Sequence, residues 1–232
     1  MEARKILIYF NRLCRGDFEM MYDKIKNKEP VGKNFESKVQ DTIDTMSKSG
    51  YKTITLLDQE YPISLKAMPK PPMVIYASGD LSLLNCKGIG VLGDDEAFDM
   101  QVSKGSSILV FITGEEIELV DYANGRKLFI RLNMYGLPNE VEMSRLFSAF
   151  CKALVVYNAE DSDFNKTVVR MIAQSSFVPI KFAIEGNGIE LFEMVYSNCK
   201  FTSLKELEEE LKELEGDYEI WLSVLIMELR QC

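Results

Sequence analysis

The feature that most constrains this chain is an alternation between residues 73 and 184. Short continuous apolar runs are separated by stretches with helical spacing. The runs are "MVIYA" (73–77), "GIGVLG" (88–93), "SSILVFIT" (106–113), "KLFIRLN" (127–133), "ALVVYNA" (153–159) and "VPIKFAI" (178–184). Between them lie "DDEAFDMQVSKG", "GEEIELVDYANG", "EVEMSRLFSAFC" and "DFNKTVVRMIAQSS". Unbroken Val/Ile/Leu strands arise when a sheet is buried on both sides, and the intervening helices supply the cover. The pattern predicts an α/β, Rossmann-like fold: a mostly parallel sheet with helices on both faces.

Residues 1–50 read differently. "ARKILIYFNRL", "DFEMMYDKIKN" and "FESKVQDTIDTMSKSG" place apolar residues at helical spacing, with Gly50 as a C-terminal cap. "YKTITLL" follows as a strand, and "MPKPP" (68–72) as an extended linker, because its prolines stop regular structure. Two regions are therefore expected: 1–70, helical with one strand, and 71–232, the α/β domain with C-terminal helices. In that last part "TSLKELEEELKELEGDYEIWLSVLIMEL" reads as helix, with Leu204, Leu207, Leu211 and Leu214 forming a stripe. Its segment "IWLSVLIM" (220–227), apolar nearly all round, must be buried, and a second subunit is one way to bury it.

Composition narrows the chemistry. There is no histidine, which removes the commonest general base, nucleophile partner and metal ligand. The five cysteines are scattered without C-x-x-C spacing, so free thiols are expected and no metal site. No catalytic set converges, and the expectation is a protein that is not an enzyme and carries no cofactor. The N-terminal apolar run is too short for a secretory signal, and no run approaches the roughly 20 residues that span a bilayer. A cytoplasmic protein with no membrane contact is expected. Charge is divided unevenly: 13 basic against 10 acidic residues in 1–70, but 14 against 26 in 71–232. A nucleic-acid partner needs a basic footprint, which the first region alone offers in net charge.

"KGIGVLGDDEA" (87–97) has the spacing of a dinucleotide loop, Gly88-x-Gly90-x-x-Gly93. In such loops the first glycine ends the strand and the third lies in the helix. Here two glycines interleave with Ile89, Val91 and Leu92 and so belong to the strand, leaving only Gly93 at the turn. Asp94, Asp95 and Glu96 would occupy the positive end of the next helix, where a phosphate would otherwise bind. A second loop, "NAEDSDFNKTVVR" (158–170), could start a helix at the carboxyl edge of the sheet. There Asn165 and Thr167, like Gly93 and Asp94, are ligand-loop candidates, and Lys166 and Arg170 supply cations among Glu160, Asp161 and Asp163.

Ordered matches run through "ITLLDQEYPISLKAMPKPPMVIYASGDLSLLNCKGIGVLG". They are Tyr61-Pro62 with Leu65, Pro71-Pro72, Ile75-Tyr76, Gly79, Leu81 and Gly93. Farther on, "MSRLFSAFCKALVVYNA" keeps Arg145, Ala153, Val155, Val156 and Ala159 of a second block, and Gly186, Asn187 and Ser203 mark a third. In these motifs the chain resembles the DNA-processing protein A family. The resemblance implies a Rossmann-like domain behind a helical N-terminal region, single-stranded DNA binding, dimerisation and a RecA-type recombinase as partner. On the matching position it implies Arg145 as a phosphate clamp; Lys166 and Arg170, read from the 158–170 loop itself, and the slightly basic N-terminal region would supply the other DNA contacts. Departures coincide with the family's basic site. Its Gly-x-Arg is Gly93-Asp94-Asp95, its arginine pair has become Met143-Ser144-Arg145, and its central block is eroded to "ITGEEIELVDYANG". The expectation is a DNA-processing-like protein with a weakened basic site. The alternative is a divergent module that binds a small nucleotide or a protein partner and no DNA.

Overall fold

The computed structural model describes residues 2–93, 107–112, 127–135, 139–157, 163–175, 180–183 and 220–225. Three helices come first: α1 (Glu2–Leu13), α2 (Phe18–Lys26) and α3 (Phe35–Lys48). Each follows from its sequence. Asp17 caps α2 by accepting from the Met20 N–H at 3.0 Å. Beyond α3, Gly50 takes φ +78°, Tyr51 N–H bonds to Met46 O at 2.8 Å and Gly50 N–H to Ser47 O at 3.0 Å. That pair of bonds is the glycine-ended helix stop read from the sequence.

Strand β1 (Lys52–Thr55) leads through the one-turn helix α4 (Ile63–Lys66) and the proline linker into β2 (Val74–Gly79). A 3-10 turn, Leu81–Asn85, precedes β3 (Gly88–Gly93). Then come β4 (Ser107–Ile112), β5 (Lys127–Arg131), α5 (Glu140–Phe150), β6 (Cys151–Tyr157), α6 (Asp163–Ser175), β7 (Ile180–Ala183) and β8 (Ile220–Leu225). The strands form one sheet in the order β1-β2-β5-β4-β8-β3-β6-β7.

The chain is thus a mixed helix-and-sheet protein, but its edge departs from the expected sheet. β1 pairs antiparallel with β2, and β2 antiparallel with β5. Between β1 and β2 there is no long crossover helix, only α4 and the linker, so the chain returns in the opposite direction. This pairing also carries residues 52–55, from the N-terminal side of the expected boundary near 70, into the sheet. Beyond β5 the pairs β5–β4, β4–β8, β8–β3, β3–β6 and β6–β7 are parallel in register.

A second correction concerns "IWLSVLIM". Residues 220–225 are a strand and not part of a helix, flanked by β4 on one side and β3 on the other. Apolar on all sides, the segment suits an interior strand of a covered sheet as well as a buried helix, and its Ile, Trp and Val favour the strand. The leucine stripe at 204–214 lies outside the described residues.

Two apolar clusters meet at β2. Val74 and Tyr76 face Ile8, Tyr9, Phe10, Met21, Val39 and Met46 of the helical region. Ile75 and Ala77 face the other cluster, with Leu65, Phe147, Phe150 and Ile172. The Tyr76 hydroxyl donates to Asn11 Oδ1 at 2.7 Å, and Asn11 Nδ2 donates to Leu132 O at 3.4 Å, so α1, β2 and the end of β5 share one buried polar contact.

The turn after α1 is tightly constrained. Gly16 has φ +82°, and a Cβ placed there would lie 2.3 Å from Asn133 Cβ. Gly50 has φ +78° but its nearest neighbour would be Ser78 Oγ at 3.7 Å. Gly50→Ala should therefore cost only the conformational strain, about 1 kcal/mol. Gly16→Ala adds a backbone-deep clash, and its loss of stability in urea unfolding should exceed that of Gly50→Ala by at least about 1 kcal/mol.

Candidate functional site

The parallel strands end together. Gly93 is level with Tyr157, Tyr157 with Ala183, and Ile112 with Leu225. Open α/β sheets take ligands outside this carboxyl edge. Gly88 and Gly90 lie within β3 and Gly93 ends it, as the sequence implied. Asp94 and the acids after it lie outside the described residues, as do Glu160 and Asp161. On α6, which follows β6, Asn165 is buried, Lys166 and Thr167 are half-buried, and Arg170 is exposed. Lys166 and Arg170 are four residues apart, on one helical face.

Arg145 sits on α5, which packs against α6. Its Nη1 donates to Pro69 O at 3.0 Å and Lys70 O at 2.7 Å, and its guanidinium lies 4.2 Å from the Phe18 ring centroid. Burial draws its pKa down, against the pull of Glu19, Tyr22 and Tyr61. The expected clamp therefore already has one nitrogen committed, fastening the proline linker and α2 to α5.

The start of α5 is built on a capping box. Asn139 Oδ1 accepts from Glu142 N–H at 2.9 Å, and Glu142 Oε2 accepts from Asn139 N–H at 3.0 Å. Glu142 is buried, and the amide of Asn133, just past β5, reaches both its oxygens at 3.3 Å. Burial pushes the Glu142 pKa up; the Asn139 and Asn133 hydrogen bonds oppose this, and Asp17 adds to it.

One feature escaped the sequence reading. Where β5 leaves the sheet, Tyr135 closes a notch of about 470 Å³ with Arg12, Leu13, Arg15 and Lys38. Arg12 is pinned there: Nη1 bonds to the Asp41 carboxylate at 2.5 Å and to Lys38 O at 3.1 Å. Positions 12, 15, 38 and 135 have no spacing in common, so no motif marks them. The only signal was the positive balance of residues 1–70. Among the described residues no group of three metal-ligating side chains is found, and no helix is long and apolar enough to cross a membrane.

Comparison with known proteins adds the following. The family model described as DNA recombination-mediator protein A matches residues 52–120. The match covers under a third of the chain and falls on the first of the resembling blocks, while those at 143–159 and 186–203 lie outside it. The fold is similar to that of DNA processing protein A from Streptococcus pneumoniae, with TM-score 0.51 and 12% identity over 88% of this chain and 97% of that one. It is also similar to the Helicobacter pylori protein of that name, whose structure is described in terms of its single-stranded DNA binding mode. There the TM-score is 0.50 at 14% identity, over 73% of this chain and 99% of that one. No curated protein matches by sequence. At such identities the two structures speak for the fold. The residues that carry the resemblance are framework: Tyr61 is buried and its hydroxyl donates to Pro72 O, while Leu65 and Ile75 lie in the core.

Glu142 yields a pH prediction. Folded Glu142 holds its proton more tightly than the unfolded chain, whose carboxyl titrates near 4.5. Its contribution to stability should thus fall as pH rises from about 4.5 through the folded pKa. Glu142→Gln keeps an acceptor for Asn139 and cannot ionise. Urea midpoints of Glu142→Gln minus wild type should climb across that window and be flat below it. A difference that stays constant from pH 4 to 7 contradicts the assignment.

Proposed function

We propose that the chain is a non-enzymatic, single-stranded-DNA-binding protein of the recombination-mediator type, acting in the cytoplasm without a cofactor. The observation that carries this reading is the shared carboxyl edge of the parallel strands, with Lys166 and Arg170 on α6, the helix that follows β6. The family match over 52–120, and what is stated of the Helicobacter protein, support the same ligand. In this reading Lys166 and Arg170 contact phosphates, with Asn165 and Thr167 beside them on α6 and Gly93 at the end of β3 as further ligand contacts. Arg145 contributes mainly by holding residues 69–70 in place. Dimerisation and a RecA-type partner belong to the proposal through the family resemblance alone, since residues 220–225 are taken up within the sheet.

A reading without DNA, as a nucleotide or protein module, draws on the acidic balance of 71–232, with 26 acidic residues against 14 basic. Anisotropy of a fluorescein-labelled oligo-dT separates the two. Binding should be micromolar or tighter at about 50 mM salt and weaken steeply by about 200 mM. Reversing both Lys166 and Arg170 to Glu should weaken it about tenfold and flatten the salt dependence. If the wild type does not bind at low salt, the DNA reading is wrong, and a nucleotide-dependent rise in melting temperature would then favour the alternative.

A further inference from the structure

The notch at the end of β5 is used by nothing in the reading above. The geometry points to it as a single-nucleotide subsite, taking one phosphate and the adjoining base of a DNA strand. This deepens the proposed function and rests on it.

The chemistry of the lining is mixed in a specific way. Arg12, Arg15 and Lys38 bring three cations, while Leu13 and Tyr135 are each 46% exposed within the same 470 Å³. A basic face that is merely solvated does not need an open tyrosine ring and an open leucine among its charges. A nucleotide offers the matching pair, an anionic backbone and a flat base, and sequence-independent strand binders combine basic grooves with aromatic rings for this reason. The volume lies within the range of small-ligand sites.

The cations are not equivalent. Arg12 is neutralised by Asp41 and held in place, so it forms a wall. Neither Arg15 nor Lys38 has a carboxylate ion pair among the described residues; Lys38 Nζ instead lies 5.8 Å from the Tyr9 ring centroid. Among the described residues two cations are thus left for a phosphate. Arg15 is also held at φ 53°, in a turn closed by the Gly16 N–H to Asn11 O bond at 2.9 Å. The turn cannot relax toward the sheet, because Gly16 already abuts Asn133.

Position links the notch to α6. β5 and β6 are four strand steps apart in the sheet order, which at roughly 4.8 Å per step is about 19 Å along one carboxyl edge. The notch is built from helices on one face of the sheet and α6 lies on the other, so a single strand that reaches both must pass over that edge.

The test uses the full chain. An oligo-dT carrying 5-iododeoxyuridine is photo-crosslinked and the attached residue mapped by mass spectrometry. Anisotropy is measured for Tyr135→Ala, Tyr135→Phe and the pair Arg15→Glu with Lys38→Glu, with thermal midpoints confirming that each folds. A crosslink at Tyr135 is expected. Tyr135→Ala should weaken binding about tenfold while Tyr135→Phe retains it, and the charge reversal should lower the salt slope by about 2. Wild-type affinity in Tyr135→Ala and in the charge reversal overturns the subsite. So does displacement of the oligo-dT by a polyglutamate peptide of equal charge and equal potency, which would assign the notch to an acidic protein segment. If those variants bind normally while reversal of Lys166 and Arg170 weakens binding, only the notch is lost. If the wild type binds no DNA, both readings fall.

Discussion

Strand β2 is buried on both faces, and most of what is specific about this structure is arranged around that fact. One face carries Val74 and Tyr76 against the N-terminal helices, and the other carries Ile75 and Ala77 against the cluster formed with α5 and α6. A strand buried twice must bring its polar atoms with it, and the Tyr76 hydroxyl does so through Asn11. Removing that bond would strand a buried amide oxygen, a loss of about 1–3 kcal/mol. The helical region is therefore part of the sheet's packing and not an appendage tethered by the linker. The linker itself is fixed from two directions, by Tyr61 at Pro72 and by Arg145 at Pro69 and Lys70.

Much of this was legible because it follows from local rules. The six apolar runs between 73 and 184 all became strands, and the three helical segments of residues 1–50 became helices, the last of them stopped by Gly50. Two features were not legible, for different reasons. The direction of β2 depends on what connects it to β1, and a proline-rich connection carries no period that announces an antiparallel return. The segment 220–225 has no polar face, so periodicity cannot tell an interior strand from a buried helix. Its place between β3 and β4 is decided by tertiary pairing alone.

The candidate site is less legible in the sequence than the fold, for a physical reason. Motif positions shared with the DNA-processing family, such as Tyr61, Leu65, Pro72 and Ile75, hold the backbone of the β1–β2 region together. Such residues report how a chain folds, and they are silent on what it binds. Arg145 illustrates the point, since its guanidinium lies against carbonyls and a phenyl ring. The notch residues come from α1, α3 and the end of β5, and only the fold makes them neighbours. Their sole trace in the sequence was a small surplus of positive charge in the first 70 residues.

The position of β8 has a consequence for how the molecule is assembled. It joins β4 to β3, although 108 positions separate Ile112 from Ile220. Until residues 220–225 emerge, β1-β2-β5-β4 and β3-β6-β7 are two separate half-sheets, each with an unpaired edge. Such long-range parallel closure is slow, and open edges are where strands of neighbouring chains pair by mistake. In the finished sheet that one segment covers both inner edges, β4 on one side and β3 on the other, so closing the sheet waits on it.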